Sequence, residues 1–433
     1  MSAAGLGWGG IARLGLVQAS IGAMVMLATS LLNRVMVVEY GLAAAVPAGL
    51  VAWHYAIQLS RPLWGHGSDR GRRRTPWIVG GMAVLALGAL LAVDATLLMG
   101  AESAAGAALA ILAFTMIGAG VGASGTSLLA LLAGAVSPER RAAAAAVTWI
   151  MMVAGIAISA GVAGSLLEPF SPDRLALVAG GVALAAFCLT LAATAGLERR
   201  LVPTAAVRGP APDLRAALRE MAGDPEARRF TAFVFVSMLA YSMQDLILEP
   251  FAGLVFGMSP GESTRLAGAQ HGGVLAGMIL AGIGGSAFRG RRPAELRRWT
   301  VAGCLGSAVA LGGLAVAAIA GPGWPLAANV VALGFANGVF AVAAIGSMMG
   351  LAGAGSRSRE GVRMGVWGAA QAIAFGLGGL IGALGVDGAR ALLSGTGPAF
   401  QLVFASEAAL FLAGAGLALA APARTSGQRM AIA

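Results

Sequence analysis

"RPLWGHGSDRGRRRTPW", Arg61 to Trp77, sets five arginines, one histidine and one aspartate within seventeen residues. The flanks decide how it is read: residues 42–60 and 76–97 are both mainly apolar. A helix rises about 1.5 Å per residue, and a bilayer's hydrocarbon core is about 30 Å thick, so roughly 20 such residues cross it. The charge is therefore a turn between two membrane spans.

The same alternation continues along the whole chain. Of the 433 residues, 58% are hydrophobic and 11% charged, there are 66 glycines, and the mean hydropathy is +0.82. Soluble domains carry about 25% charged residues, so composition excludes a soluble fold. Twelve spans are predicted: 14–32, 42–60, 76–97, 105–133, 142–166, 174–197, 229–250, 267–288, 298–320, 325–351, 362–386 and 399–421. The net charge of +10 comes from short clusters between apolar runs, which argues against a nucleic-acid partner and for positively charged loops. All 29 basic residues are arginine, and 25 of them fall on one side of the predicted spans. That side is predicted to be cytoplasmic and to hold both termini, in a bacterial inner membrane.

Residues 1–13 are nearly uncharged and lead into the first span without a cleavage signal, so that helix is expected to be retained. Cys188 and Cys304 lie far apart in apolar segments and suggest neither a disulfide nor a metal site.

The longest connection divides the chain into a six-helix bundle at 1–197, a linker at 198–228 and a second bundle at 229–433. In "PDLRAALREM", Asp213 is a candidate N-cap, and Leu214, Leu218 and Met221 share one face of a short interfacial helix. Asp224 and Pro225 then read as the cap and first residue of the seventh span. The halves echo each other: "GHGSDRGRRR" after the second span is answered by "GSAFRGRR" after the eighth, and "SPERRA" by "SREGVR". A parallel repeat of six helices is the mark of an all-α major facilitator architecture.

"GHGSDRGRRR" also resembles the signature between the second and third helices of major facilitator transporters. Gly65, Asp69, Arg70, Arg73 and Arg74 match, whereas Arg72 stands where the second glycine is usual. The resemblance implies an architectural latch, with glycine permitting a tight turn and Asp69 capping or pairing with arginines. The arginine of proton-coupled members is missing from "ILAFTMIGAGVGASG", and the fifth span lacks their Gly-Pro element. Gly118, Gly122, Gly155 and 376–382 read instead as seams of close helix approach.

Ionisable groups at membrane depth are costly, so each is a candidate site. His54 and His271 each stand in an apolar span, and structural hydrogen bonding is the plain reading of both. Asp245 and Glu249 share one face of the seventh helix near its outer end, where Pro250 is expected to stop the helix. Arg34 and Glu39 lie at the matching end of the first helix. These four are predicted to form a polar cluster closing the periplasmic side, with a proton site as the alternative. Glu407 is isolated. The sequence shows no catalytic motif, so no enzyme is expected.

Longer stretches carry a more specific resemblance: "LGLVQASIGAMVMLATSLLNRVMVVEYG", "AWHYAIQLSRPLWGHGSDRGRRRTPWIVGGMAV", "MLAYSMQDLILEPFAGLVFGMSPGESTRL" and "ANGVFAVAAIGSMMGLAGAGSRSREGVRMGVWGAAQAIAFGLGG". Together they resemble the PucC/LhaA family of photosynthetic purple bacteria, from about Arg13 to Gly382. The resemblance implies a non-enzymatic factor for assembling light-harvesting complexes in the photosynthetic membrane. Its implied partners are antenna polypeptides, the reaction-centre complex or bacteriochlorophyll synthase, and its implied ligand is bacteriochlorophyll. His54 and His271 are then the candidates for contact with the pigment's magnesium, with no protein-ligated metal site. A proton-coupled transporter of a small amphipathic solute or lipid, using Asp245, Glu249 or Glu407, and a purely structural chaperone are the alternatives.

Overall fold

The computed structural model describes residues 6–61, 64, 68, 73–101, 103–136, 141–198, 223, 225–287, 293–353 and 360–420. Among them are twelve long helices and no strand: α1 (Trp8–Glu39), α2 (Ala45–Gln58), α3 (Thr75–Gly100), α4 (Ala104–Ala135), α5 (Arg141–Leu166), α6 (Pro172–Thr194), α7 (Pro225–Phe256), α8 (Pro260–Ala287), α9 (Pro293–Ala320), α10 (Leu326–Gly353), α11 (Glu360–Leu392) and α12 (Thr396–Ala420). Ten are long and apolar enough to cross a membrane. Of the other two, α2 has 14 residues, about 21 Å of helix. The 28-residue α8 is less apolar, because Glu262, Arg265, Gln270 and His271 interrupt its small residues. The chain is a multi-pass integral membrane protein.

Two boundaries correct the sequence reading. α1 does not stop near Leu32; it runs to Glu39 through two wider π-helical turns, Leu27–Leu31 and Val35–Glu39. Pro250 does not end α7 either, for that helix continues to Phe256. Proline has no N–H for the carbonyl four residues back, which normally breaks a helix. Here the orphaned acceptor is the Leu246 carbonyl, and the Asn33 side-chain amide of α1 donates to it at 2.7 Å. The lost helical bond is replaced from the neighbouring helix.

α7 begins at Pro225, as expected for a first helical position. The proposed cap Asp224 and the interfacial helix with Asp213, Leu214, Leu218 and Met221 lie outside the described residues, as do Gly65, Asp69 and Arg70.

The chain divides into two compact units. One comprises Met1–Val207 with Asp245–His271 and Gly382–Gly388; the other comprises Arg208–Gln244, Gly272–Ile381 and Ala389–Ala433. In the first, α1 packs on α5 and α4 on both α3 and α2 at glycine-tight crossings. A Cβ on Gly155 would strike the backbone of Ala19, one on Gly120 would come within 2.6 Å of the Leu85 nitrogen, and one on Gly118 within 2.6 Å of the His54 carbonyl. In the second, α9 lies against α10 and α12. There Phe340 meets Phe411 edge-on at 5.9 Å between ring centroids and Phe233 at 6.2 Å, and Ser307 of α9 donates to Asn337 Oδ1 of α10 at 2.7 Å.

Candidate functional site

In the first unit, chemistry gathers where α1, α5, α7 and α11 finish and α2 and α8 begin. The turns around 27–39 of α1 present Ser30, Asn33 and Arg34 on one face, spaced three and four apart. Arg34 is 1% exposed, yet its guanidinium is bonded on three sides. Its Nη1 donates to Glu39 Oε1 at 2.5 Å, its Nη2 to the Met258 carbonyl at 2.6 Å and its Nε to Ser263 Oγ at 3.1 Å. A buried guanidinium requires a carboxylate and full hydrogen bonding, because its desolvation is otherwise uncompensated.

The Met258 carbonyl reaches Arg34 because Gly257 ends α7 in the left-handed region, at φ 69°. Gly257 N–H returns to the Gly253 carbonyl and Met258 N–H to Ala252, closing the helix end. Gly253 makes room for the charge, since a Cβ there would stand 3.0 Å from Arg34 Nη2.

Glu249, 2% exposed, accepts from three hydroxyls: Ser30 at Oε1, Thr264 at 3.2 Å and Ser263 at 3.3 Å, both at Oε2. Ser263 therefore links the two side chains, accepting from Arg34 Nε while its own hydroxyl stands within reach of Glu249 Oε2 at 3.3 Å and the Pro260 carbonyl at 3.1 Å. Of the four residues read as a polar cluster, Arg34, Glu39 and Glu249 come together. Asp245, one turn earlier, is half-buried and makes none of these bonds.

Two further contacts fasten the same helix ends. Ser259 donates to Glu168 at the end of α5, and a Cβ on Gly261 would collide with that carboxylate. Asp387 of α11 accepts from the backbone N–H groups of Ala44 at 3.2 Å and Ala45 at 2.8 Å, capping α2 from another helix. Sequence reading missed Ser30, Asn33, Ser263, Thr264, Glu168 and Asp387. Asp387 falls one residue beyond the predicted span 362–386, and only the longer helix Glu360–Leu392 places it at membrane depth.

At the opposite ends of these helices, Glu198 caps α3 by accepting from Arg74 N–H and Thr75 N–H, each at 2.8 Å. The Arg74 guanidinium donates to the Ala130 carbonyl, and Arg13 covers the Ala193 carbonyl at 2.9 Å and that of Ala195 at 2.5 Å. Arg73 is exposed.

The two candidate histidines have different surroundings. His54 is 2% exposed and its ring is engaged at both nitrogens: Nδ1 faces the Val51 carbonyl at 3.3 Å, and Gln58 Nε2 meets Nε2 at 2.8 Å. Arg61 donates to the other end of the same Gln58 amide, which fixes its orientation and makes His54 Nε2 the acceptor. His271 is half-buried, with Nδ1–H donating to the Ala267 carbonyl at 2.9 Å. Its Nε2 lone pair has no partner among the described residues.

Beside His54, an apolar side groove of about 460 Å³ is lined by Val46, Gly49, Leu50, Trp53, Met99 and Ile111, among others. Among the described residues, no three of His, Cys, Asp and Glu are grouped to hold a metal ion.

The chain is similar to known proteins over nearly its whole length. The PUCC protein family matches residues 31–425. A "Bacteriochlorophyll synthase 44.5 kDa chain" from Rhodobacter capsulatus is 53% identical, over 95% of each chain. "Protein PucC" of the same organism is 32% identical over 96% of this chain and 92% of that one. Among solved structures, a bacterial homologue of the human lysosomal transporter Spinster, in its inward-facing and occupied conformation, superposes with a TM-score of 0.66. That match covers 95% of this chain and 96% of the other at 16% identity, which fixes the fold as the major facilitator type.

Proposed function

The chain belongs to the PUCC protein family, and on that premise we propose that it is a non-enzymatic membrane factor for assembling photosynthetic light-harvesting complexes. In this reading it binds bacteriochlorophyll and delivers it to antenna polypeptides. It sits in the photosynthetic inner membrane with both termini cytoplasmic, as the arginine distribution supports. The 53% identical relative carries a synthase's name. Against a synthase here stands the way the described acids are used: Glu249, Glu168, Glu198 and Asp387 each accept from hydroxyl or backbone donors and hold helices together.

The observation that carries pigment binding is the state of His271. A magnesium tetrapyrrole needs one neutral imidazole nitrogen as ligand and the other anchored by an acceptor. His271 has that arrangement, with Nδ1 on Ala267 and Nε2 open. His54 would first have to release Gln58. His271 would therefore hold the magnesium, and lipid or an apolar helix face would take the isoprenoid tail. Gly65, Asp69, Arg70, Arg73 and Arg74 serve as an architectural latch in this reading, with Arg74 tying α3 to α4 and α6.

The test is purification in mild detergent from a photosynthetically grown host, followed by an absorption spectrum and identification of co-purifying polypeptides. Bacteriochlorophyll and antenna polypeptides are expected together. A colourless preparation that still supports assembly in the cell would leave a structural chaperone. A second reading, a proton-coupled transporter, draws on the burial of Glu249 beside Arg34. It requires uptake into vesicles that follows a pH gradient and disappears in Glu249→Gln.

A further inference from the structure

Gly80, Val84, Leu87, Leu90, Asp94 and Leu98, spaced three and four apart, form one exposed face of α3. Asp94 alone among them is polar, and it makes no hydrogen bond or ion pair with any described residue. The helix has 26 residues, about 39 Å, and Asp94 stands about 9 Å in from its end at Gly100. Centred on a hydrocarbon core about 30 Å thick, α3 places that carboxylate about 4 Å inside the apolar layer, with Leu97 and Leu98 between it and the boundary. Charge at that depth, on a face turned away from the bundle, is costly until a partner meets it.

α6 lies against α3 and continues this surface. Leu177, Gly181 and Leu184 are exposed along it, and Leu90, one turn from Asp94, borders Gly180, where a Cβ would stand 3.9 Å from Leu90 Cδ2. The inward glycines of α3 have a reason in the fold, since a Cβ on Gly81 or Gly88 would strike α4. Gly181 has none, for nothing stands within 4 Å of a Cβ there. Glycine weakens a helix interior through its backbone freedom, and an exposed one lets a further helix approach closely. An unmet carboxylate and an open glycine thus lie on neighbouring helices at one outer surface, and one kind of partner answers both.

We propose that this surface of α3 and α6 docks one transmembrane helix of another polypeptide, and that the helix carries a basic side chain at the depth of Asp94. Charge complementarity selects it: a cationic side chain closes the ion pair, and the rest of the helix packs against Gly181 and the leucines. The proposal rests on the reading of the chain as an assembly factor for membrane polypeptides, and it is independent of where pigment binds.

The test uses the full-length chain in membranes of a photosynthetically grown host, with the photo-crosslinker p-benzoylphenylalanine at Leu87 or Leu184, and at exposed Val309 of α9 as control. Adducts are identified by mass spectrometry. A polypeptide crosslinked at Leu87 and Leu184 and not at Val309 is expected, with a basic residue in its spanning segment. Asp94→Leu should cut the adduct about tenfold, equivalent to about 1.4 kcal/mol of docking preference, and Asp94→Glu should keep most of it. Asp94→Leu should leave the thermal stability of the purified chain unchanged, because the carboxylate bonds to no described residue. Asp94→Arg, paired with an acidic substitution at the partner's basic position, should restore the adduct. Adducts that ignore Asp94→Leu, that join only lipid or a second copy of this chain, or that reach a helix without a basic residue would overturn the docking site. So would antenna polypeptides that co-purify with wild type and Asp94→Leu alike and crosslink at neither position; the assembly reading would then stand. If nothing crosslinks and nothing co-purifies, both fall.

Discussion

The Arg34 clasp and the seam of α9, α10 and α12 are both helix junctions built on a buried side chain, and different contacts dominate them. Around Phe340 the seam is largely rings and small side chains, and elsewhere in it Ser307 donates to Asn337 Oδ1 at 2.7 Å; Phe340 is 0% exposed and meets Phe411 and Phe233 edge to ring. The clasp buries a guanidinium and a carboxylate, and every bond in it depends on the identity of the partner. In the seam, energy should follow volume. In the clasp it should follow the completeness of the network, so that one deletion costs more than the deleted bond. The largest expected effect is therefore Arg34→Ala. It leaves Glu249 buried without its countercharge and should cost about 3–5 kcal/mol, seen as early thermal unfolding in detergent.

Asn33→Ala comes next and sharpens the comparison most. It strands the Leu246 carbonyl and should cost about 1–3 kcal/mol. Pro250→Ala restores an N–H that the same carbonyl can accept within α7. In that background Asn33→Ala should lose most of its effect, and the cycle measures the coupling directly. Additive effects would mean that Asn33 is not the substitute for the missing proline bond. The smallest expected effect is Phe340→Leu in the seam, about 1–2 kcal/mol, since an aliphatic side chain fills most of the space but leaves a small cavity and two lost ring contacts. If Phe340→Leu proved as costly as Arg34→Ala, the distinction between the two junctions would fail.

How much of this could be read in the sequence follows from the same difference. Spans are additive in hydropathy, so all twelve helices were legible, and Pro225 marked its own helix start. The grouping of Arg34, Glu39 and Glu249 followed from charge and position. The end of α1 and the passage of α7 through Pro250 did not, because each depends on a side chain elsewhere in the chain, and no local rule contains Asn33. The hydroxyls of Ser30, Ser263 and Thr264 were invisible for a similar reason: in an apolar span, serine and threonine are as often bonded to their own helix as to another. The sequence sets Gln58 one turn after His54, but the fold decides that its amide engages that ring while His271 keeps Nε2 open.

The same contrast assigns the magnesium to His271, and the pigment retained per protein after purification in mild detergent decides it. Wild type and His54→Ala should carry the same bacteriochlorophyll, with His54→Ala less stable, while His271→Ala should lose most of it and still elute as a folded species. Equal pigment in His271→Ala and wild type, or loss only in His54→Ala, would contradict the assignment of the magnesium to His271.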